Sequence, residues 1–214
     1  MFLVFYNISC SQTSNSVNEF YSKAIVVSAH PLASEIGINI LKNGGNAADA
    51  TIAVQFALAV VYPSAGNIGG GGFFVYRDKD GNSSTLDFRE KAPLLSKRDM
   101  YLDSSNNVVK DLSLYSHLAV GVPGTVDGMV KIHKKYGQLP WKELVQPAID
   151  LATNGFELTR LEANKLNRFN KTKGRINKNS DYFKENYSEG DSISLPQLSK
   201  ALVLIRDFKR AGFY

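Results

Sequence analysis

Among the residues able to do chemistry, Arg89 stands out for its setting in Asp87-Phe88-Arg89-Glu90, at the expected end of a strand. Strand alternation turns Asp87 and Arg89 to one face. Taken alone, the motif fits a surface ion pair of Arg89 with Asp87 or Glu90, worth about 0–1 kcal/mol. It also fits a guanidinium fork gripping a substrate carboxylate, a charge-assisted contact worth about 1.5–3 kcal/mol. The second unusual feature precedes it: Gly66-Asn67-Ile68-Gly69-Gly70-Gly71-Gly72-Phe73. Successive glycines carry an entropic penalty that needs a reason, either positive φ or close approach of a backbone or ligand. A phosphate cradle does not fit, because no Gly-Lys-Ser/Thr follows and a strand rather than a helix comes next. Ser28-Ala29-His30 and Ser116-His117 put hydroxyls near imidazoles, but no Gly-x-Ser-x-Gly elbow is present, so the histidines read as core or surface residues.

Several elements must position these groups. Ala24–Ser28 reads as a short buried strand, and Leu32, Ile36 and Ile40 recur at helical spacing until Gly44-Gly45. Asn46 and Asp49 form a capping box opening an alanine-rich, buried helix to about Val61, whose small side chains suit close approach to a sheet. Residues 73–76 and 84–88 read as a hairpin joined by Asp78-Lys79-Asp80-Gly81-Asn82. A further strand is expected at Leu118–Val122 and a helix from Thr125 to Tyr136. Beyond Gly137 the chain reads as helical: Pro140 suits a first turn, Pro147 restarts a second helix, and Asn154-Gly155 closes it. Thr159 and Glu162 make another capping box, and Leu198, Ala201, Leu202, Ile205 and Phe208 form the stripe of a last helix. The element order predicts an α/β layered core over about 23–137 and a helical extension over 138–214.

The composition, 214 residues with 43% hydrophobic and 21% charged, is that of a globular chain. Its net charge of +5 is concentrated in Lys165, Arg168, Lys171, Lys173, Arg175 and Lys178. Few aromatics interleave there, so a solvated face is expected rather than a nucleic-acid site. One cysteine, Cys10, and three histidines exclude a disulfide framework and a multi-cysteine metal centre. No apolar run reaches the roughly 20 residues of a membrane span. Met1–Tyr6 resembles the end of an export signal cut short, and Cys10 after Ile8-Ser9 faintly resembles a lipoprotein box lacking its large aliphatic residue. Residues 11–22 read as a Ser/Asn-rich linker. Asn82-Ser83-Ser84, Asn170-Lys171-Thr172 and Asn186-Tyr187-Ser188 match glycosylation acceptors, a pattern too short to carry weight.

Taken together, Ala29-His30-Pro31-Leu32-Ala33-Ser34, Gly44–Ala50, Pro63–Phe73, Asp87-Phe88-Arg89-Glu90 and Gly121-Val122-Pro123-Gly124-Thr125 resemble the γ-glutamyltranspeptidase family in order and spacing, from about Lys23 to the end. The resemblance implies the αββα sandwich of N-terminal-nucleophile hydrolases, here incomplete. It implies a precursor that cleaves itself into large and small subunits and exposes a threonine, with no cofactor or metal. The threonine, activated by its own α-amine, attacks the γ-amide of glutathione or another γ-glutamyl compound. An oxyanion hole stabilises each tetrahedral intermediate, and water or an acceptor amino acid or peptide resolves the acyl-enzyme. The α-carboxylate grip falls on Arg89, and Gly69, Gly70, Gly71 and Gly72 shape the site without reacting. A periplasmic or extracellular location is implied.

Thr13, Thr51, Thr85, Thr125, Thr153, Thr159 and Thr172 are the threonines present, and none begins a Thr-Thr-His or Thr-Ser-His junction. The nucleophile is therefore expected beyond Tyr214, and no catalytic residue is assigned within the chain. The chain is expected to be inactive alone and poorly soluble, with uncovered apolar faces. A cephalosporin or glutaryl acylase-like enzyme of the same fold, a non-catalytic remnant and a binding module remain open alternatives.

Overall fold

The computed structural model describes residues 23–176 and 186–214, with the backbone alone for 172–176. The expected signal remnant and linker (1–22), Cys10, and the basic residue Lys178 lie outside the described residues.

Helix α1 (Pro31–Lys42) starts on His30, whose ring accepts the Leu32 N–H, and ends in a Schellman turn. There Gly44, at φ 90°, donates to Leu41 O and Gly45 donates to Ile40 O. The Asn46/Asp49 capping box then opens α2 (Ala47–Val61), and Ile52, Ala53, Phe56, Ala57 and Val60 are wholly buried along it. Its alanines admit close neighbours, but these are chiefly the helices α1, α4 (Thr125–Tyr136) and α5 (Trp141–Asn154), not a sheet.

Strands β1 (Phe73–Arg77) and β2 (Ser83–Asp87) form the expected antiparallel hairpin, with Phe73 opposite Asp87 and Val75 opposite Thr85. Asp78 holds the turn by accepting the N–H groups of Asp80 and Asn82. The hairpin packs one face inward: Phe74 and Tyr76 stack 5.7 Å apart, and Tyr76 lies 4.4 Å from the Tyr136 ring of α4. The other face leaves Phe73 and Val75 exposed.

Two expected strands are absent. Ala24–Ser28 pairs with nothing among the described residues, and Ile25 and Val27 are exposed rather than buried. An apolar run becomes a strand only where a partner supplies the ladder hydrogen bonds. Likewise Leu118–Val122 carries a 3-10 turn (His117–Ala119) and a single bridge from Val122 to Lys91, after the short helix α3 (Leu112–Tyr115).

The C-terminal half is helical. Pro147 does not restart a helix but sits inside a continuous α5. The backbone bond it forfeits is outweighed by the buried stripe of Trp141, Leu144, Val145, Ala148, Ile149 and Ala152. Gly155, at φ 85°, closes α5 as expected. Strand β3 (Phe156–Glu157) pairs with β4 (Ser192–Ile193), flanking α6 (Arg160–Ile176). The Thr159/Glu162 box caps α6, with Thr159 N and Oγ1 both donating to Glu162 at 2.8 Å. Helix α7 (Pro196–Phe208) lays Leu202 and Ile205 against α5, and Trp141 Nε1 donates to Ile205 O. Phe208, expected on the same stripe, is exposed because the helix ends there.

Candidate functional site

The four-glycine loop and Arg89 meet through their backbones. Phe88 donates to Gly72 O at 2.9 Å, so β2 runs straight onto the loop. None of Gly69–Gly72 has positive φ. Close approach is instead the reason for at least two of them. A Cβ at Gly71 would lie 2.5 Å from Phe88 O and 2.6 Å from Arg89 Cα, and one at Gly72 would lie 3.1 Å from the Phe88 ring. Gly69 has open space around it, and a Cβ at Gly70 would first meet the Asn67 side chain, 2.4 Å from its Oδ1.

The loop is tied on its other side to the start of α4. Gly124 and Thr125 both donate to Gly70 O, at 2.7 and 3.1 Å. Arg89 is thus framed by the loop in front and the α4 N-terminus behind, while Lys91 and Val122 exchange two hydrogen bonds just beyond it.

Arg89 is exposed and makes no ion pair among the described residues. Strand alternation fails to pair it with Asp87, because β2 ends at Asp87 and the chain turns. The Asp87 carboxylate accepts the backbone N–H of Arg89 at 2.9 Å instead. The guanidinium carbon sits 5.9 Å from the Phe73 ring centroid, a cation–π distance. An Arg fork left free, resting on an aromatic face, is suited to a planar anion such as a carboxylate.

The serine–histidine pairs are structural. Ser28 Oγ bonds His30 O and Ser34 Oγ, not the ring. His30 is buried against Phe156, with Nε2 in a short, bent contact 2.7 Å from Glu162 Oε1. Ser116 Oγ bonds Leu112 O and caps Leu118. No cluster among the described residues could hold a metal.

A separate apolar cavity of about 570 Å³ opens between the end of α2 (Val60, Val61), α6 (Leu166) and Leu195. It contains none of the loop or Arg89 residues. Among its charged lining residues, Glu162 contacts His30, Lys165 lies over the Tyr62 ring at 4.9 Å and Arg168 is exposed. Of the remaining basic cluster, Arg168 and Lys171 are exposed on α6, as a solvated face requires.

Against known proteins, the family model described as gamma-glutamyltranspeptidase matches residues 33–214. The chain belongs to the γ-glutamyltranspeptidase family. It is 45% identical over 194 residues to the glutathione hydrolase proenzyme of Pseudomonas sp. (strain A14), covering 89% of this chain and 34% of that protein. The corresponding proenzyme of Escherichia coli (strain K12) is 42% identical, covering 90% and 34%. The chain therefore spans about a third of the length of these curated relatives. The solved Helicobacter pylori gamma-glutamyltranspeptidase matches at TM-score 0.86 and 45% identity, over 92% of this chain and 57% of that one. The Bacillus anthracis transpeptidase CapD matches at TM-score 0.74 and 35% identity, over 91% and 62%. A cephalosporin acylase from Bacillus halodurans, at 23% identity and TM-score 0.70, shares the fold alone. The chain is accordingly part of an N-terminal-nucleophile hydrolase fold, as its motifs implied.

The sequence singled out Arg89 and the glycine loop but not the residues packed around them. Gly124 and Gly128 face Phe88 from α4, and Phe73 underlies the guanidinium. A glycine inside an otherwise good helix costs about 1 kcal/mol relative to alanine, so Gly128 was a visible signal of close packing.

Proposed function

We propose that residues 23–214 are the N-terminal portion of the large subunit of a γ-glutamyltransferase and glutathione hydrolase, with an α/β part to about residue 137 and a mainly helical part beyond. In this reading Arg89 holds the α-carboxylate of the γ-glutamyl group, and Gly69–Gly72 form the tight passage beside it. The observation that carries the assignment is the free guanidinium of Arg89, on a backbone pinned between loop and helix.

The reaction proposed is acyl transfer. An N-terminal threonine supplied by the rest of the precursor adds its hydroxyl oxygen to the γ-carbonyl and gives its proton to its own amine. The amide C–N bond breaks, the amine leaves with that proton, and water or an acceptor amino acid or peptide takes the γ-glutamyl group from the ester. Arg89 acts by binding and orientation. The exposed outer face of the hairpin, Phe73 and Val75, supports docking by the remainder of the protein, the small subunit included. No helix among the described residues is long and apolar enough to cross a membrane. A place in the periplasm or outside the cell is part of the proposal.

The test is hydrolysis of a chromogenic γ-glutamyl anilide by the full-length, processed protein and its Arg89→Ala variant. Loss of one charge-assisted fork lowers kcat/KM about 10- to 150-fold, chiefly through KM. Equal activity of the two proteins sinks the assignment.

A further inference from the structure

Phe88 is the residue between Asp87 and Arg89, and its surroundings are more exacting than those of either neighbour. Its carbonyl oxygen would lie 1.9 Å from a Cβ at Gly124 and 2.5 Å from a Cβ at Gly71. Its ring enters a notch in α4: a Cβ at Gly128 would stand 2.5 Å from Phe88 Cγ and 2.7 Å from Phe88 Cβ. Gly124 caps α4 and Gly128 follows one turn on, and both lack a side chain where they meet Phe88. The ring is half-buried and packs against the core, while Arg89, the next residue, is exposed.

Resting on the proposed role of Arg89, we infer that Phe88 and Gly128 are positioning residues that set the direction of the Arg89 guanidinium and so the enzyme's preference for acyl groups bearing an α-carboxylate. A long side chain on a loose loop would find its carboxylate only by losing rotamer freedom. Here the Phe88–Arg89 backbone is packed against Gly71 and Gly124 while the Phe88 ring sits against Gly128, which removes the backbone part of that loss. Asp87 completes the arrangement by accepting the Arg89 N–H at 2.9 Å, so its charge is anchored on the backbone and does not neutralise the guanidinium.

The full-length, processed protein is assayed with two anilides, γ-glutamyl and 4-aminobutyryl, which differ only in the α-carboxylate. The readout is the ratio of their kcat/KM values. Arg89→Ala is expected to collapse this ratio. Gly128→Ala, which drives its methyl into the ring, and Phe88→Leu, which retains apolar volume without the ring, are expected to lower it about 10- to 100-fold through KM for the γ-glutamyl substrate, as misplacement of a binding group does. If Gly128→Ala does not fold, Phe88→Leu carries the test, with thermal unfolding confirming that it remains native. A ratio unchanged in Arg89→Ala overturns the role of Arg89 itself. A collapsed ratio in Arg89→Ala with a wild-type ratio in folded Phe88→Leu and Gly128→Ala overturns the positioning role alone, as does an equal loss on both substrates.

Discussion

Asp49, wholly buried in the first turn of α2, accepts the backbone N–H of Gln138 at 3.0 Å, some ninety residues away. The same carboxylate takes the N–H groups of Asn46 and Leu139, and Asn46 in turn donates its side-chain amide to Tyr136 O at 2.7 Å. A local helix cap therefore fastens α2 to the turn between α4 and α5.

Asp49→Ala is expected to destabilise the fold by about 1.5–3 kcal/mol, because the part-buried N–H groups of Asn46, Gln138 and Leu139 lose their shared charged acceptor. Urea unfolding checks this. A loss below about 1 kcal/mol, the worth of an ordinary cap, would show that the long-range bonds contribute nothing.

The glycine loop is not uniform. Gly71→Ala drives a methyl into the Phe88–Arg89 backbone and should destabilise by about 1–3 kcal/mol. Gly69→Ala meets nothing within 4 Å and has no positive φ to strain, so its effect should stay within about 0.5 kcal/mol. Thermal unfolding of the two variants side by side decides the matter.

Arg89→Lys keeps the charge but loses the planar fork and much of the contact with Phe73. In the γ-glutamyl anilide assay it is expected to recover only part of the kcat/KM lost in Arg89→Ala, because a lysine binds a carboxylate as a point charge. Full recovery would mean that charge alone is read.

His30 serves two helices at once, accepting the Leu32 N–H of α1 and touching Glu162 of the α6 cap. His30→Asn replaces the ring-nitrogen acceptor with a capping oxygen and is expected to retain more stability than His30→Ala, by about 1 kcal/mol. Equal denaturation midpoints for the two variants would remove the capping role.

Asp127 ties α4 to the chain after α7, contacting Lys131 at 2.7 Å and Arg210 at 3.1 Å. The Lys131 hydrogen bond first, then the charges of Lys131 and Arg210, hold its carboxyl below the ordinary 3.8. A depressed carboxylate stabilises the native state above that ordinary value and loses the contribution as pH falls through its folded value. Wild type should therefore exceed Asp127→Asn by about 0.5–1 kcal/mol near neutrality, with the gap closing once pH drops below 3.8. Unfolding midpoints across pH test this; a gap that persists in acid would exclude ion pairing as its source.

What the sequence determined by itself is what neighbouring atoms decide. The Asn46/Asp49 and Thr159/Glu162 caps, the glycine stops at Gly44 and Gly155 and the β1–β2 turn all close over three to five residues, and each formed as its residue types required. The order of the motifs was likewise enough to place the chain in its family. The tertiary structure decided everything that depends on a distant partner. Ala24–Ser28 and Leu118–Val122 have strand-like composition but no ladder, Pro147 is carried inside a helix by the packing of α5, and Asp49 reaches beyond its own cap. Arg89 illustrates the division best: its motif allowed an ion pair or a free fork. Only the turn after β2, which gives Asp87 to a backbone N–H, and the glycines of a loop and a helix closing around Phe88, left the guanidinium free.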